Sequence, residues 1–240
     1  MFGLIVAAAQ LAVALPSYSR ELPATLVGCA SDGQLGPQHA PRSVRVPSIP
    51  APLASKVAYY ASAEGPGVLA PRGWHCFGLY GSSGTTLLVT PELHSSEQFF
   101  ADQRFKTPGP AVEVSYEYGG TSGRWSVAHA IARYFPDQRG FIGDENFKGL
   151  DVGPLPTGPY PGDVMGSRTS HLVRFVTPPH VAGMGTAGLL SPGDDPVDGL
   201  VVLVPTADGP NLLTLNARLP RSLEELRPLI IRKARFNVPG

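Results

Sequence analysis

Nowhere does this chain hold the run of about eighteen apolar residues that a membrane-crossing helix requires. Its candidate segment, Phe2 to Leu15, is interrupted by Gln10 and is too short to span a bilayer. Followed by Pro16 and the Ser17-Tyr18-Ser19 site, it reads instead as an export signal over residues 1–19, although it lacks the Lys or Arg that usually opens one. No sign of charge is in excess either: Lys+Arg and Asp+Glu both number 19, so neither nucleic acid nor an acidic membrane is expected as a partner. There are only two cysteines, and they form no C-x-x-C motif. The six histidines have neither HxH nor HxxxH spacing, which removes the usual zinc signatures, so no metal and no cofactor is expected. The phosphate-binding P-loop and the nucleophile elbow GxSxG are missing, and the Gly-rich loop before Arg124 does not carry the dinucleotide fingerprint GxGxxG. No internal repeat and no linker divides the chain.

What is plentiful is Gly (28) and Pro (26), interleaved with apolar runs throughout, in a chain of 240 residues that is 42% hydrophobic. That combination describes a loop-rich globule rather than a disordered chain. Residues 20–52, with prolines at 23, 37, 41, 47, 50 and 52, read as an extended arm, and residues 53–240 as one domain. Leu53, Val57 and Tyr60 have helical spacing and predict a helix from 53 to 63. Next comes Gly65 to Pro91, the stretch around which the rest is organised. Cys76 and Tyr80 share one face of its first strand with Trp74, and Phe77 and Leu79 lie on the other, which predicts a buried strand. Gly78 within it suggests a bulge or a close backbone approach. A turn at Gly81-Ser82-Ser83-Gly84 leads into a β-branched run from Thr85 to Thr90.

Ser95 with Gln98 fits a capping box, and a short helix follows. In Ala111 to Tyr118 the residues Val112, Val114, Tyr116 and Tyr118 alternate with Glu113, Ser115 and Glu117, the pattern of an antiparallel strand with one wet face. Arg124 to Phe135 is helical by its Val127, Ile131 and Tyr134 spacing, with Pro136 as its stop. The weakly patterned run from Asp137 to Arg168 reads as a covering loop. Strands are expected at 170–176, 199–205 and 211–216, with Asp208-Gly209 turning the last pair. Ser222 to Arg235 is a helix with a second capping box, kinked or delayed by Pro228. These elements define an α+β domain: mainly antiparallel sheet, several short helices and a Pro/Gly-rich N-terminal arm.

The sharpest candidate site is the loop Gly119, Gly120, Thr121, Ser122, Gly123 with Arg124. A strand, a Gly-rich turn and a helix N-terminus in that order present backbone N–H groups to an anion or other ligand. For nucleophilic chemistry the serines to weigh are Ser82, Ser83 and Ser122, with His75, His94, His129 or His171 as base and Asp144 or Glu145 as acid. Asp194, Asp195 and Asp198 lack the EF-hand pattern and read as a solvated turn. The aromatics Trp74, Phe77, Tyr80, Phe99, Phe100, Tyr116, Tyr118 and Trp125 are expected mostly in the core. Closing a loop between Cys29 and Cys76 would stabilise the fold by up to about 4 kcal/mol on a chain-entropy model; two unpaired buried thiols are the alternative. Leu26-Val27-Gly28-Cys29 looks like a lipid-attachment box but stands away from the apolar run such a box should adjoin.

Three pieces, GCASDGQLGP (Gly28 to Pro37), VLAPRGWHCFGLYGSSG (Val68 to Gly84) and GTSGRW (Gly120 to Trp125), resemble a group of bacterial exported proteins of uncharacterised function. The resemblance implies export and pairing of Cys29 with Cys76, and brings no activity. The expectation is therefore a periplasmic or secreted protein, with no stable membrane span after signal removal, that binds a ligand or protein partner without catalysis. The competing expectation is a serine-dependent hydrolase.

Overall fold

A computed structural model describes residues 20–101, 105–143, 147 and 154–235 of the chain. The expected export signal at 1–19 lies outside the described residues, as do Asp144 and Glu145. The described residues form the expected α+β fold, centred on an eight-stranded sheet. Its strands are β3 (Ser31–Gly33), β7 (His75–Gly81), β8 (Gly84–Thr90), β9 (Ala111–Glu117), β10 (Val164–Arg168), β11 (Leu172–Thr177), β12 (Val197–Val204) and β13 (Asn211–Arg218). They lie in the order β10-β11-β12-β13-β9-β8-β7-β3. Every pairing is antiparallel except β3 with β7.

The N-terminal arm is not merely extended. It contributes β1 (Glu21–Pro23) and β4 (Ser48–Pro50), which pair with each other, β3 at the sheet edge, and β2 (Leu26–Gly28). Strand β2 joins β5 (Val57–Ala61) and β6 (Val68–Pro71) in a separate three-stranded sheet. The helix expected from 53 to 63 is thus corrected: a single 3-10 turn at Ala51–Leu53 leads into β5. All five residues of β5 are buried, so neither face carries the polar half of an alternation. A strand buried on both faces cannot be told from a helix by periodicity, and the β-rich Val-Ala-Tyr-Tyr decides for strand.

One face of the large sheet packs on the three-stranded sheet and on the C-terminal helix. Val112, Val114, Tyr116, Leu213 and Leu215 meet Tyr59, Tyr60, Leu69, Leu229 and Ile230 there. On the other face, Leu88, Phe77 and Leu190 form a cluster with Phe99 of α1 (Ser96–Ala101). At a distance along that face lies α2 (Arg124–Tyr134), whose Val127, Ile131 and Tyr134 pack on Phe175, Val201 and Leu212. The one-turn α3 (Gly140–Gly143) follows it, and its Phe141 and Ile142 join the same cluster. The glutamine of the capping box does its expected work: Gln98 Oε1 accepts from the Ser95 N–H at 2.9 Å. At the C-terminus a 3-10 stretch, Arg221–Leu226, precedes α4 (Arg227–Lys233). The helix therefore starts late, with Pro228 in its first turn, where no N–H is missed.

Cys29 and Cys76 are bonded, with sulfurs 2.04 Å apart, across a separation of 47 residues. The bond ties the end of β2 to β7. Gly78 makes the close approach its position suggested rather than a bulge: a Cβ there would stand 2.8 Å from the Cβ atoms of both Ser31 and Ser62, while β7 keeps a regular register with β8. The first hairpin strand is less buried than expected, with only Gly78 fully covered, because its edge neighbour β3 is just three residues long. Trp74 lies just before the strand and is half-buried.

Buried among loops at the end of β13 is Arg218, 1% exposed. Its guanidinium donates to the carbonyl oxygens of Ser191, Asp195, Pro108, Thr107 and Gly109 at 2.6 to 3.4 Å. It thereby clips the 107–109 and 191–195 segments together, and burial lowers its pKa.

Candidate functional site

Strand β9 alternates as its sequence suggests, but its polar face is not wet. Glu113 is 3% exposed, and Ser115 and Glu117 are half-buried. The register places Glu113 opposite Asn216, Ser115 opposite Thr214 and Glu117 opposite Leu212 on β13. A polar stripe therefore crosses the sheet between two apolar clusters, the one under α2 and the one under α1. Along α2, Ser126, His129, Ala130 and Arg133 recur at three- and four-residue intervals and face this stripe. With Tyr160, Met184, Ala187 and Gly188 they enclose a cleft of about 320 Å³.

The floor is rich in acceptors. Glu113 Oε1 accepts from the Leu189 N–H at 2.9 Å, and Glu113 Oε2 from Asn216 Nδ2 at 3.2 Å. Asn216 is 2% exposed, and its Oδ1 is buried with no protein partner. Burial raises the pKa of Glu113 against the opposing pull of those two hydrogen bonds and of Lys106. Glu117 is pushed up to about 7, by burial first and then by the charge of Glu113.

The walls are held by their own contacts. The Arg133 guanidinium lies 3.8 Å from the centre of the Tyr160 ring and donates to the Gly158 carbonyl at 3.3 Å. Asp163 accepts from Thr177 Oγ1 (2.6 Å), the Met184 N–H (3.1 Å) and Tyr134 Oη (3.3 Å), which fixes the start of the 184–190 segment against the helix and sheet. Burial and the neighbouring Asp163 raise the pKa of Tyr134. Lys106 Nζ donates to the Thr186 carbonyl at 2.7 Å. Gly188 passes so close to Glu113 that a Cβ would collide with its carboxylate.

The loop Gly119 to Arg124 connects the floor strand β9 to the wall helix α2. Several of its N–H groups are engaged within the protein: Gly119 with Asn211 Oδ1 (2.9 Å), Thr121 with the Tyr118 carbonyl (3.2 Å), Gly123 with Thr121 Oγ1 (3.5 Å) and Arg124 with the Thr121 carbonyl (3.1 Å). Arg124 Nε also donates to that carbonyl at 2.9 Å. Gly123 is the N-cap, and no Cβ fits there because it would meet the Ser83 carbonyl and the Tyr118 backbone.

The serines lie near this joint. Ser82 Oγ and Ser122 Oγ are 3.2 Å apart and exposed, and among the described residues neither is hydrogen-bonded to a histidine. His75 stands at the far end of β7. His171 Nδ1 is 2.8 Å from Ser170 Oγ in the exposed turn before β11. His94 packs edge-on to Phe105 and Phe99, with both ring nitrogens buried and unpartnered. Only His129 lines the cleft. Asp194 is exposed, whereas Asp198 sits in β12 paired with Arg227 at 3.1 Å, so the three aspartates do not form one solvated turn. Among the described residues no group of three His, Cys, Asp or Glu side chains converges as a metal site would. Tyr116 and Phe99 are core, as expected of the aromatics, but Phe100 and Trp125 are 54% and 37% exposed.

Sequence reasoning had Glu113, Ser115 and Glu117 on one face without assigning them chemistry. It passed over Thr214, Asn216, Arg133 and Tyr160. The legible signal was the Leu-Thr-Leu-Asn alternation of 213–216, the counterpart of Val-Ser-Tyr-Glu on β9. Comparison with protein-family models, with curated proteins and with solved structures found no match.

Proposed function

We propose that this chain is an exported domain, periplasmic or secreted, that binds a small molecule in the cleft between the polar face of β9–β13 and helix α2. The observation that carries this reading is the polar stripe itself. Glu113, Ser115, Glu117, Thr214 and Asn216 occupy the middle of a sheet face that is apolar on either side. A face serving only the core would be apolar throughout, since burying carboxylates costs free energy unless a partner repays it. The cleft volume of about 320 Å³ falls in the range of small-ligand sites. Export is supported by the Cys29–Cys76 disulfide and by the resemblance to exported bacterial proteins. Among the described residues no helix is long and apolar enough to cross a membrane. The Gly119 to Arg124 loop serves the site as the joint between its floor and its wall.

The test is a ligand screen by protein-observed NMR, with Ser126→Tyr as an occluded control, because Ser126 is an exposed helix residue at the cleft. Ligands that shift the signals of Met184, Ala130 and Ala187 in the native protein, and not in the variant, bear the reading out. Ligands that bind equally to both place the site elsewhere. A serine-dependent hydrolase is the second reading, favoured only by the Ser82–Ser122 contact. It requires labelling by a serine-reactive probe that Ser122→Ala or Ser83→Ala abolishes.

A further inference from the structure

We infer that the cleft selects a small organic cation, an alkylammonium group seated against Glu117 with its N–H donors directed along the floor toward Thr214 and Asn216. The inference rests on the cleft being the ligand site and names the chemistry of its occupant.

The floor carries two carboxylates, which only accept when ionised, and an amide oxygen without a protein partner. The floor offers the Glu117 carboxylate, the Ser115 and Thr214 hydroxyls and the Glu113 carboxylate, and beside them the Asn216 amide oxygen has no protein partner although Asn216 is only 2% exposed. An orphaned buried acceptor is costly, and a ligand that brings donors removes that cost. The amide's other end is already committed, since Asn216 Nδ2 donates to Glu113. Of the cations nearby, Arg133 stacks on the Tyr160 ring and gives an N–H to the Gly158 carbonyl, and Lys106 donates to the Thr186 carbonyl with its charge acting on Glu113. Glu117 is shifted by burial and by Glu113, with no protein cation among the causes, so a cationic ligand would favour its ionised form. Glu117 shares the cleft with Glu113 from its own strand, Leu212 and Thr214 from β13, Ser126, His129 and Arg133 from α2, and Tyr160, Met184 and Ala187 from the covering segments, and its charge also acts on Tyr118. The apolar wall of Leu212, Met184, Ala130 and Ala187 suits a short alkyl chain.

Three probes of one length separate the possibilities: 1,4-diaminobutane, butane-1,4-diol and succinate, titrated into the intact protein by calorimetry and followed by NMR at the cleft residues. The diamine is expected to bind at least tenfold more tightly than the diol, and succinate not to bind. Its affinity is expected to rise about tenfold from pH 6 to pH 8, as Glu117 ionises while the amines stay charged. Glu117→Gln, which keeps the shape of the side chain, is expected to remove most of that affinity and the pH dependence. Diol binding in the cleft as tight as the diamine's would overturn the cation inference and leave the ligand cleft standing. The cation inference falls in the same way if Glu117→Gln, folded by circular dichroism, binds the diamine unchanged. Diamine binding that Ser126→Tyr does not affect, with no shifts at the cleft, would overturn the inference and the cleft reading with it.

Discussion

Glu113 and Asn216 face each other across neighbouring strands, and the Asn216 amide donates to the Glu113 carboxylate at 3.2 Å while both side chains are almost wholly buried. The pair joins the two strands of the cleft floor and fixes the orientation of each polar group. Asn216→Leu removes the donor and leaves a buried carboxylate short of a hydrogen bond, so a loss of about 1–3 kcal/mol is expected. Urea unfolding at neutral pH measures it. An unchanged midpoint would mean that the bond contributes nothing net.

The stability of the fold should fall as pH rises, over a defined window. Glu117 titrates at about 7 in the folded protein against an ordinary value of 4.5. The folded state therefore holds its proton more tightly than the unfolded chain does. That contribution is complete below pH 4.5 and is lost as pH rises through 7. Glu117→Gln abolishes the loss, so the variant should be more stable than the native protein at pH 8, by up to about 3 kcal/mol, and equal to it near pH ~4. Paired urea titrations at the two pH values decide this.

Reduction of the disulfide, or Cys76→Ser with Cys29→Ser, is expected to cost about 2–4 kcal/mol, because the bond closes a long loop in the unfolded chain. The separation of 47 residues sets the upper end of that range. Thermal unfolding with and without reductant reads the difference. Two thiols titrating as free in the native oxidised protein would contradict the bond itself.

Arg218→Leu should be among the most damaging single changes, with a loss of about 3 kcal/mol or more, since it deprives five backbone carbonyls of their donor. Arg218→Lys should recover only part of it, because an ammonium cannot reproduce the planar fork. Limited proteolysis should cut first near 107–109 and 191–195, where the guanidinium joins the loops. Cleavage elsewhere would argue against its role as a clip.

Gly188→Ala tests the cover over the cleft. An added Cβ collides with the Glu113 carboxylate, so the 184–190 segment must lift or Glu113 must turn. Ligand affinity should drop at least tenfold, and the thermal midpoint should fall with it, because the displaced Glu113 carboxylate is buried and accepts from the Leu189 N–H. Equal affinity in the variant would show that the cover plays no part in binding.

Local signals carried much of this fold. The β-branched run after Gly84, the alternation of 111–118, the apolar spacing of 124–135 and the Asp208-Gly209 turn each stated an element that the structure contains. The Gly78 approach and the late start imposed by Pro228 were equally legible, because Gly and Pro act through the backbone at their own positions. Strand β5 was misread because its burial on both faces erases the period that would identify it. Strands β1 to β4 were hidden in a Pro-rich arm, being only three residues each.

The candidate site divides along the same line. The sequence by itself determined that Glu113, Ser115 and Glu117 share one face of a strand, because side chains alternate at a period of two whatever the strand pairs with. It also determined a Gly- and Pro-rich composition that suits a loop-rich domain. Only the tertiary structure decided that this polar face is roofed by α2 and the 184–190 segment, that Asn216 and Thr214 stand in register beside it, and that Glu117 titrates near neutrality. Those facts depend on which strands become neighbours across about a hundred residues and on what then excludes water, and neither is written in any local run of the chain.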